Sequence, residues 1–200
     1  MIKKLLGALL VVVIVLIGVA YMLPRDIHVE RSVVIARPTA AVFPYVNSLH
    51  RFNEWSPWRL LDPNVKMTFS GPETGVGSAM AWAGDSKVGK GTQIITESTP
   101  DKRVASDLEF GDMGVAKAAW VLSGDAASTT VVWSLDMDLG TNPIYRYMGL
   151  FIDKGVGPDY ERGLAQLKAL AEKAPVEPAP AGDPAQPTSA ATTSEKAATS

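Results

Sequence analysis

The segment at 155–173, GVGPDYERGLAQLKALAEK, most constrains the fold, because its apolar residues predict an amphipathic helix near the end of the chain. The apolar stripe consists of Tyr160, Leu164, Leu167 and Ala171. Pro158 is typical of a first helical turn and indicates that the helix begins near Gly155. A helix with one apolar face needs a covering surface, and we expect residues 27–140 to supply that surface as a sheet.

Seven strands are predicted in this region, because alternating apolar and β-branched stretches are separated by glycine, proline and aspartate turn signals. The predicted strands are 27–36, 65–70, 78–83, 91–98, 103–110, 115–123 and 129–139. Short connections between the last six favour antiparallel neighbours. In the last strand apolar residues occupy one face and Asp136 and Asp138 the other, which predicts one covered and one solvent-exposed face of the sheet.

The connecting segments contain further helix and turn signals. Apolar residues from Val42 to Leu49 predict a short helix that is bent at Pro44. Residues 50–58, HRFNEWSPW, predict an aromatic and proline-rich turn. The Thr141-Asn142-Pro143 sequence is typical of a helix cap and start, and the apolar residues that follow it predict a separate helix leading into the final one.

The chain begins with a membrane-like segment. Residues 1–4 form a short flank that contains Lys3 and Lys4, and residues 5–23 form an apolar run without a charged residue. About 20 apolar residues cross a hydrocarbon core of roughly 30 Å, so this run predicts a transmembrane anchor, joined to the domain by a linker at 24–26. A cleavable signal peptide is the alternative, although the run exceeds the roughly 7–15 residues of a signal core.

The charges that flank the apolar run bear on its orientation. Lys3 and Lys4 favour a cytoplasmic amino terminus, whereas Arg25, Arg31 and Arg37 follow on the other side. Long domains translocate largely regardless of such charges. We therefore expect a single-pass protein of the inner or plasma membrane, with its domain in the periplasm or outside the cell. Cleavage of the segment would instead give a secreted protein.

Composition excludes several classes of function. The net charge is -2 and Lys and Arg are not clustered, which disfavours nucleic-acid binding. The chain has no Cys, so disulfides, thiol nucleophiles and thiolate metal sites are excluded. His28 and His50 are too far apart to suggest metal-ligand spacing, and we expect neither a metal nor another cofactor. Residues 174–200, rich in Pro, Ala, Ser and Thr, predict a disordered tail.

Four stretches carry a resemblance to a known family. They are VERSVVIARPTAAVFPYV at 29–46, NEWSPW at 53–58, GPETGVGSAMAW at 71–82, and the run from WSLDMDL to LAQLKAL at 133–170. In this order they make the chain at 27–173 resemble the START-like, or SRPBCC, superfamily, in its polyketide cyclase/dehydrase-like branch with an N-terminal membrane segment. Pro44 departs from the uninterrupted first helix that is usual in the family.

The resemblance implies an α+β helix-grip fold, in which a curved antiparallel sheet wraps the C-terminal helix and encloses an apolar cavity. Members of the superfamily bind lipids, sterols, polyketides or other hydrophobic ligands, and some are enzymes. The large side chains on the predicted inner faces would line such a cavity, although the same residues would serve equally well as plain core. These candidates are Trp58, Met80, Trp82, Leu108, Trp120, Trp133, Met137, Tyr147, Phe151, Tyr160 and Leu164.

Carboxylates on the predicted sheet are candidates for acid–base chemistry, because an apolar cavity raises a carboxyl pKa. Alternation places Asp107 and Glu109 on the outer face, as it does Asp136 and Asp138. The strand that contains Glu97 has no clear apolar side, and Glu97 is therefore the remaining catalytic candidate.

The preferred interpretation is a membrane-anchored binding protein for a hydrophobic small molecule or lipid, which is held in a cavity between the sheet and the C-terminal helix. One alternative is a polyketide cyclase/dehydrase-like or other small-molecule enzyme that uses a cavity carboxylate. Another is a protein-interaction module with a filled core, whose partner the sequence does not name. The surroundings of Tyr160 and Leu164 distinguish these hypotheses, because full packing favours a scaffold and neighbouring empty space favours a ligand.

Overall fold

The structure of the protein is a computed structural model that describes residues 1–111 and 114–174. The helices are α1 (Ile2–Met22), α2 (Thr39–Val46), α3 (Leu49–Trp55), α4 (Trp58–Leu61) and α5 (Pro143–Lys173). The strands are β1 (Asp26–Ile35), β2 (Lys66–Ser70), β3 (Ala79–Ala83), β4 (Lys90–Thr99), β5 (Arg103–Glu109), β6 (Val115–Gly124) and β7 (Thr129–Asp138). Apart from Ala174, the predicted tail lies outside the described residues.

The seven strands form one antiparallel sheet in the order β1-β7-β6-β5-β4-β3-β2. Strands β2 to β7 follow each other as a meander, and β1 pairs with β7 at the far edge. The strand prediction is confirmed, with bounds that differ by one residue at most at each end. The α+β helix-grip fold is confirmed as well, since α5 packs against the sheet along β1.

Helix α5 is longer than the sequence pattern predicts. It runs without a break over 31 residues, so the separate helices expected before and after residue 155 are one. Asn142 caps it, since its side-chain oxygen accepts a hydrogen bond from the amide of Ile144 at 2.9 Å. Pro158 is therefore an interior residue, and its assignment to a first turn is wrong. An interior proline removes one helical hydrogen bond, but Gly157 packs against Arg31 and Tyr160 against Trp133, so the helix is held to the sheet on both sides of Pro158.

The segment after β1 is also more helical than predicted. The expected short helix is present as α2, with Pro44 inside it. The expected turn at 50–58 is instead α3 and the start of α4, separated at Ser56 and Pro57. The hydroxyl of Ser48 caps α3 by accepting from the Arg51 amide at 3.4 Å. Three rings of this segment therefore enter the interior from helices.

The core lies where the inner face of the sheet meets α2, α3 and α5, and it is dominated by aromatic side chains. Trp55, Trp120 and Trp133 are fully buried. The ring of Tyr160 stacks on Trp133, with centroids 3.7 Å apart and planes inclined by 12°. Gly163 permits this approach, because a Cβ at that position would lie 2.9 Å from the Trp133 ring. The predicted apolar stripe of α5 is thus the face that covers the sheet.

Candidate ligand site

A depression of about 530 Å³ lies at the end of the sheet that is joined to α1. It is lined by the first residues of β1 and β6 and by the last residues of β5 and β7. Asp26, the first residue of β1, lies only four positions after the end of α1 at Met22. The depression is therefore next to the apolar N-terminal helix.

Strand register explains the composition of this depression. Ile27, Met137, Ala116 and Leu108 are cross-strand neighbours and form an apolar row on the inner face. The next row consists of His28, Asp136, Lys117 and Asp107 on the opposite face. Since side chains alternate across a strand, each of the four strands contributes one residue to each row. An apolar floor and a charged edge therefore meet at this end of the sheet.

The charged row contains a cross-strand ion network. The Nδ1 atom of His28 lies 2.6 Å from Asp136 Oδ1, and its Nε2 atom lies 3.5 Å from Glu30 Oε2. The hydrogen bond to Asp136 raises the pKa of His28 above its usual value of 6.5. Both ring nitrogens face carboxylates, so this arrangement favours the protonated imidazolium over the neutral ring and leaves neither nitrogen directed at the apolar floor.

A second ion pair lies at the same end of the sheet. Arg25 Nε donates to Asp138 Oδ1 at 2.6 Å, and a second guanidinium nitrogen donates to the other carboxylate oxygen. These hydrogen bonds lower the pKa of Asp138 to about 2. The linker between α1 and β1 is thus tied to the last residue of β7.

The residues predicted to line a cavity fall into three places. Leu108 and Met137 line the depression. Tyr147 and Phe151 lie on the first half of α5, away from the core, and Phe151 is 66% exposed. The remaining seven pack in or against the core: Trp58, Met80, Trp82, Trp120, Trp133, Tyr160 and Leu164. Leu108 and Met137 pack against the core as well, so the depression borders the core, whereas Phe151 lies apart from both.

The interior around Trp133 is filled. Tyr160 and Leu164 are each 2% exposed, and neither lines the depression. Within the described part of the chain, the indole nitrogens of Trp120 and Trp133 are buried without a hydrogen-bond partner. Edge-to-face contacts surround both rings, including those of Trp55 with each of them. Trp133 also stacks on Trp120 and on Tyr160, so aromatic rings pack against it from several sides.

Glu97 lies on the outer face of the sheet. A register shift between Ile95 and Glu97 turns this carboxylate outward, where it accepts from Arg103 Nε at 3.0 Å. Asp107 and Glu109 are exposed, as alternation predicts. Among the described residues, no group of three or more His, Asp or Glu side chains is arranged to hold a metal ion.

Sequence reasoning did not find the pair of His28 and Asp136. Alternation indicates that each residue lies on the outer face of its strand, but it does not show that the first strand pairs with the last. This pairing brings together residues 108 positions apart. Ile27 and Ala116 were not predicted either. A single aliphatic or small residue in a strand does not indicate whether it lines a depression or packs in the core.

Comparison with known proteins identifies the family. The family model described as polyketide cyclase / dehydrase and lipid transport matches residues 26–172. The chain belongs to this family. The match begins with the first residue of β1 and ends one residue before the end of α5, so the family region of this chain is the sheet with its helices. Helix α1 lies outside it. No curated protein matches the sequence.

Solved structures share the fold at low identity. The Zhui aromatase/cyclase from Streptomyces sp. R1128 is 17% identical with a TM-score of 0.52, over 74% of this chain and 94% of that one. A Thermobifida fusca protein is 21% identical with a TM-score of 0.53, over 72% and 92% of the two chains. The di-domain ARO/CYC StfQ of the steffimycin biosynthetic pathway is 11% identical with a TM-score of 0.55, over 74% of this chain and 51% of that one.

Proposed function

We propose that this family member is anchored in a membrane by α1 and binds a hydrophobic small molecule or lipid in the depression at the α1 end of the sheet. The observation that carries the proposal is the position of the apolar row of Ile27, Leu108, Ala116 and Met137. The row opens next to the only helix, within the described residues, that is long and apolar enough to cross a bilayer. A ligand that partitions into the bilayer would meet this apolar row when it leaves the bilayer.

The proposed anchor is supported by the exposure of α1. Of its 21 residues only Ala20 is buried, so its apolar side chains lack a protein core that would cover them. At about 1.5 Å per residue the helix is long enough to cross a hydrocarbon core of roughly 30 Å. Contacts between α1 and α5 favour an uncleaved anchor over a signal peptide. The domain would then lie in the periplasm or outside the cell, with the amino terminus in the cytoplasm.

The filled interior limits where a ligand would bind. Since Tyr160 stacks directly on Trp133, a ligand between the sheet and the second half of α5 would have to displace packed rings. The apolar row at the α1 end needs no such displacement, because Met137 and Leu108 are only partly buried. The proposed site therefore keeps two of the residues predicted from the sequence and adds Ile27 and Ala116.

Replacing Met137 by Gln in the full-length protein tests this site, with cis-parinaric acid as a fluorescent lipid probe. Because Met137 is already partly buried, a ligand covers only part of its side chain; losing that apolar contact costs about 1 kcal/mol, so we expect a Kd weaker by about fivefold. Met67→Gln is the matched control, since Met67 is half-buried on β2 at the other edge of the sheet. Equal affinity of the two variants would place the probe elsewhere. No binding of the probe to the wild-type protein would reject the ligand function.

The packed interior favours a second candidate function, a protein-interaction module. A smaller depression of about 410 Å³ is lined by Glu54, Ser56, Arg59, Pro63 and Gln166, and this set includes part of the 53–58 segment. Its polar lining fits a protein surface better than a lipid. Crosslinking from a photoreactive residue at position 59 tests this candidate, and a pull-down that loses its partner in Arg59→Glu would support it.

A further inference from the structure

The first half of α5 exposes an apolar surface that the core does not use. We call Ile144, Met148 and Phe151 the α5 apolar patch; they recur at i, i+4 and i+7 on one face of the helix, and each of these side chains is more than half exposed. Gly149 lies on the opposite side of the helix, where a Cβ would come within 2.5 Å of Leu139. The patch therefore points away from the sheet, on the side of α5 that a soluble domain would cover with polar residues.

Helix α1 lies against this half of α5. The Tyr147 hydroxyl donates to the carbonyl of Leu16 at 2.8 Å. The Arg146 guanidinium donates to the carbonyl of Leu23 at 3.1 Å and lies 5.4 Å from the centre of the Tyr21 ring. These contacts fix the start of α5 beside the last two turns of α1. The α5 apolar patch is therefore continuous with the apolar surface of α1.

The hydrogen bond between Tyr147 and Leu16 fixes the level of α5 along the axis of α1. Leu16 is six residues before the end of α1 at Met22, which corresponds to roughly 9 Å along the helix axis. If α1 crosses the bilayer, Tyr147 reaches below the level at which α1 leaves it. The neighbouring side chains of the α5 apolar patch then lie at the same level as the lipid.

From this geometry we infer that the first half of α5 is embedded in the membrane interface, with its apolar patch in contact with lipid. The inference rests on the proposed anchoring by α1. The patch ends at Phe151, and no large apolar side chain is exposed on the described part of α5 after it; the exposed charged residues there include Asp153, Lys154, Glu161 and Arg162. Tyrosines beside an apolar helix end are typical of the membrane interface, as are basic side chains that reach toward polar groups. Lipid is thus the occupant that continues the surface of α1.

Single-cysteine labelling tests the inference in the full chain, because the native protein contains no Cys. A nitroxide at Phe151→Cys is examined in vesicles of phosphatidylcholine and phosphatidylglycerol. Ala169→Cys is the matched control, since 18 residues are five helical turns and both positions face the same side of α5. We expect the label at 151 to be severalfold more accessible to oxygen than to an aqueous nickel chelate, and the label at 169 to show the reverse.

A third label separates this inference from the anchoring on which it rests. Val11→Cys reports whether α1 lies in the bilayer. A lipid-exposed label at 11 with a water-exposed label at 151 would overturn the inference and leave the anchor intact. A label at 151 that is protected from both oxygen and nickel would also overturn it and indicate a second copy or another protein as the occupant. A water-exposed label at 11 would reject both proposals.

Discussion

The two halves of α5 differ in the surface that they turn away from the sheet. The second half buries Tyr160, Leu164 and Leu167 and exposes charged residues, as expected for a helix that covers a core in water. The first half contacts the sheet through Gly149 and exposes the α5 apolar patch. The two halves belong to one continuous helix, so no break in the helix explains why their exposed faces differ. The neighbouring elements differ instead. The aromatic core specifies the second half, and α1 lies against the first.

Arg31 of β1 joins the two halves. Its guanidinium pairs with Asp153 in the first half and with Glu161 in the second, each at 3.0 Å. Gly157 lies between them, and a Cβ there would come within 2.1 Å of the guanidinium. The glycine therefore makes room for the cation against the helix backbone. The junction of the two environments is fixed to the edge strand of the sheet, close to the interior Pro158.

The largest expected difference between the halves is in their contribution to stability. Tyr160→Ala removes a fully buried ring and should lower the free energy of unfolding by about 3–5 kcal/mol. Phe151→Ala removes an exposed ring and should change it by less than about 0.5 kcal/mol. Urea unfolding of the full chain in mild detergent, followed by the emission of the buried tryptophans, measures both values. Equal losses would show that the first half is also packed as core.

Substitutions of two glycines, one in each environment, compare the two halves of α5 through smaller changes in the free energy of unfolding. Gly163→Ala places a methyl group 2.9 Å from the Trp133 ring and 3.0 Å from Pro57, and this overpacking should cost about 1–3 kcal/mol. Gly155→Ala meets no atom within 4 Å, so its higher helix propensity should stabilise the protein by up to about 1 kcal/mol. The same urea titration compares them. Stabilisation by both substitutions would contradict the close approach of the second half to the sheet.

The smallest expected effect concerns the sheet end beside the first half. Because the pKa of His28 is raised on folding, its contribution to stability is fully present below about pH 6.5 and is lost as the pH rises through the raised value. The effect is small because both partners are half-exposed. An NMR titration should give a His28 pKa above 6.5, and Asp136→Asn should lower it. Identical titrations would show that the pair does not form in solution.

The spacing of apolar residues predicted most of the fold, because the second half of α5 and the strands each bury one face and expose the other. Alternation in β7 placed Trp133 inside and Asp136 outside correctly. Pro158 was misassigned because a proline is a local signal of a helix start, whereas the contacts that tolerate it inside α5 come from distant residues. The helices at 49–61 were missed because each is too short to show a full apolar period.

The candidate site was less accessible to sequence reasoning. Leu108 and Met137 were predicted as lining residues, but nothing local distinguishes them from Trp120 or Tyr160, which are packed. The distinction depends on which strand ends lie side by side. Phe151 has the same helical spacing as a core residue, and only the position of α1 shows that it faces away from the core. Both differences are properties of long-range contacts.

The pairing of β1 with β7 also determines the order in which the sheet can be completed. Strand β1 is the first strand to be synthesised, and its main contacts are with β7 and α5, which are made last. About a hundred residues of chain must therefore follow before its edge closes, and such long loops slow folding. The edge of the sheet formed by β1 can therefore be completed only after β7 and α5 have been synthesised.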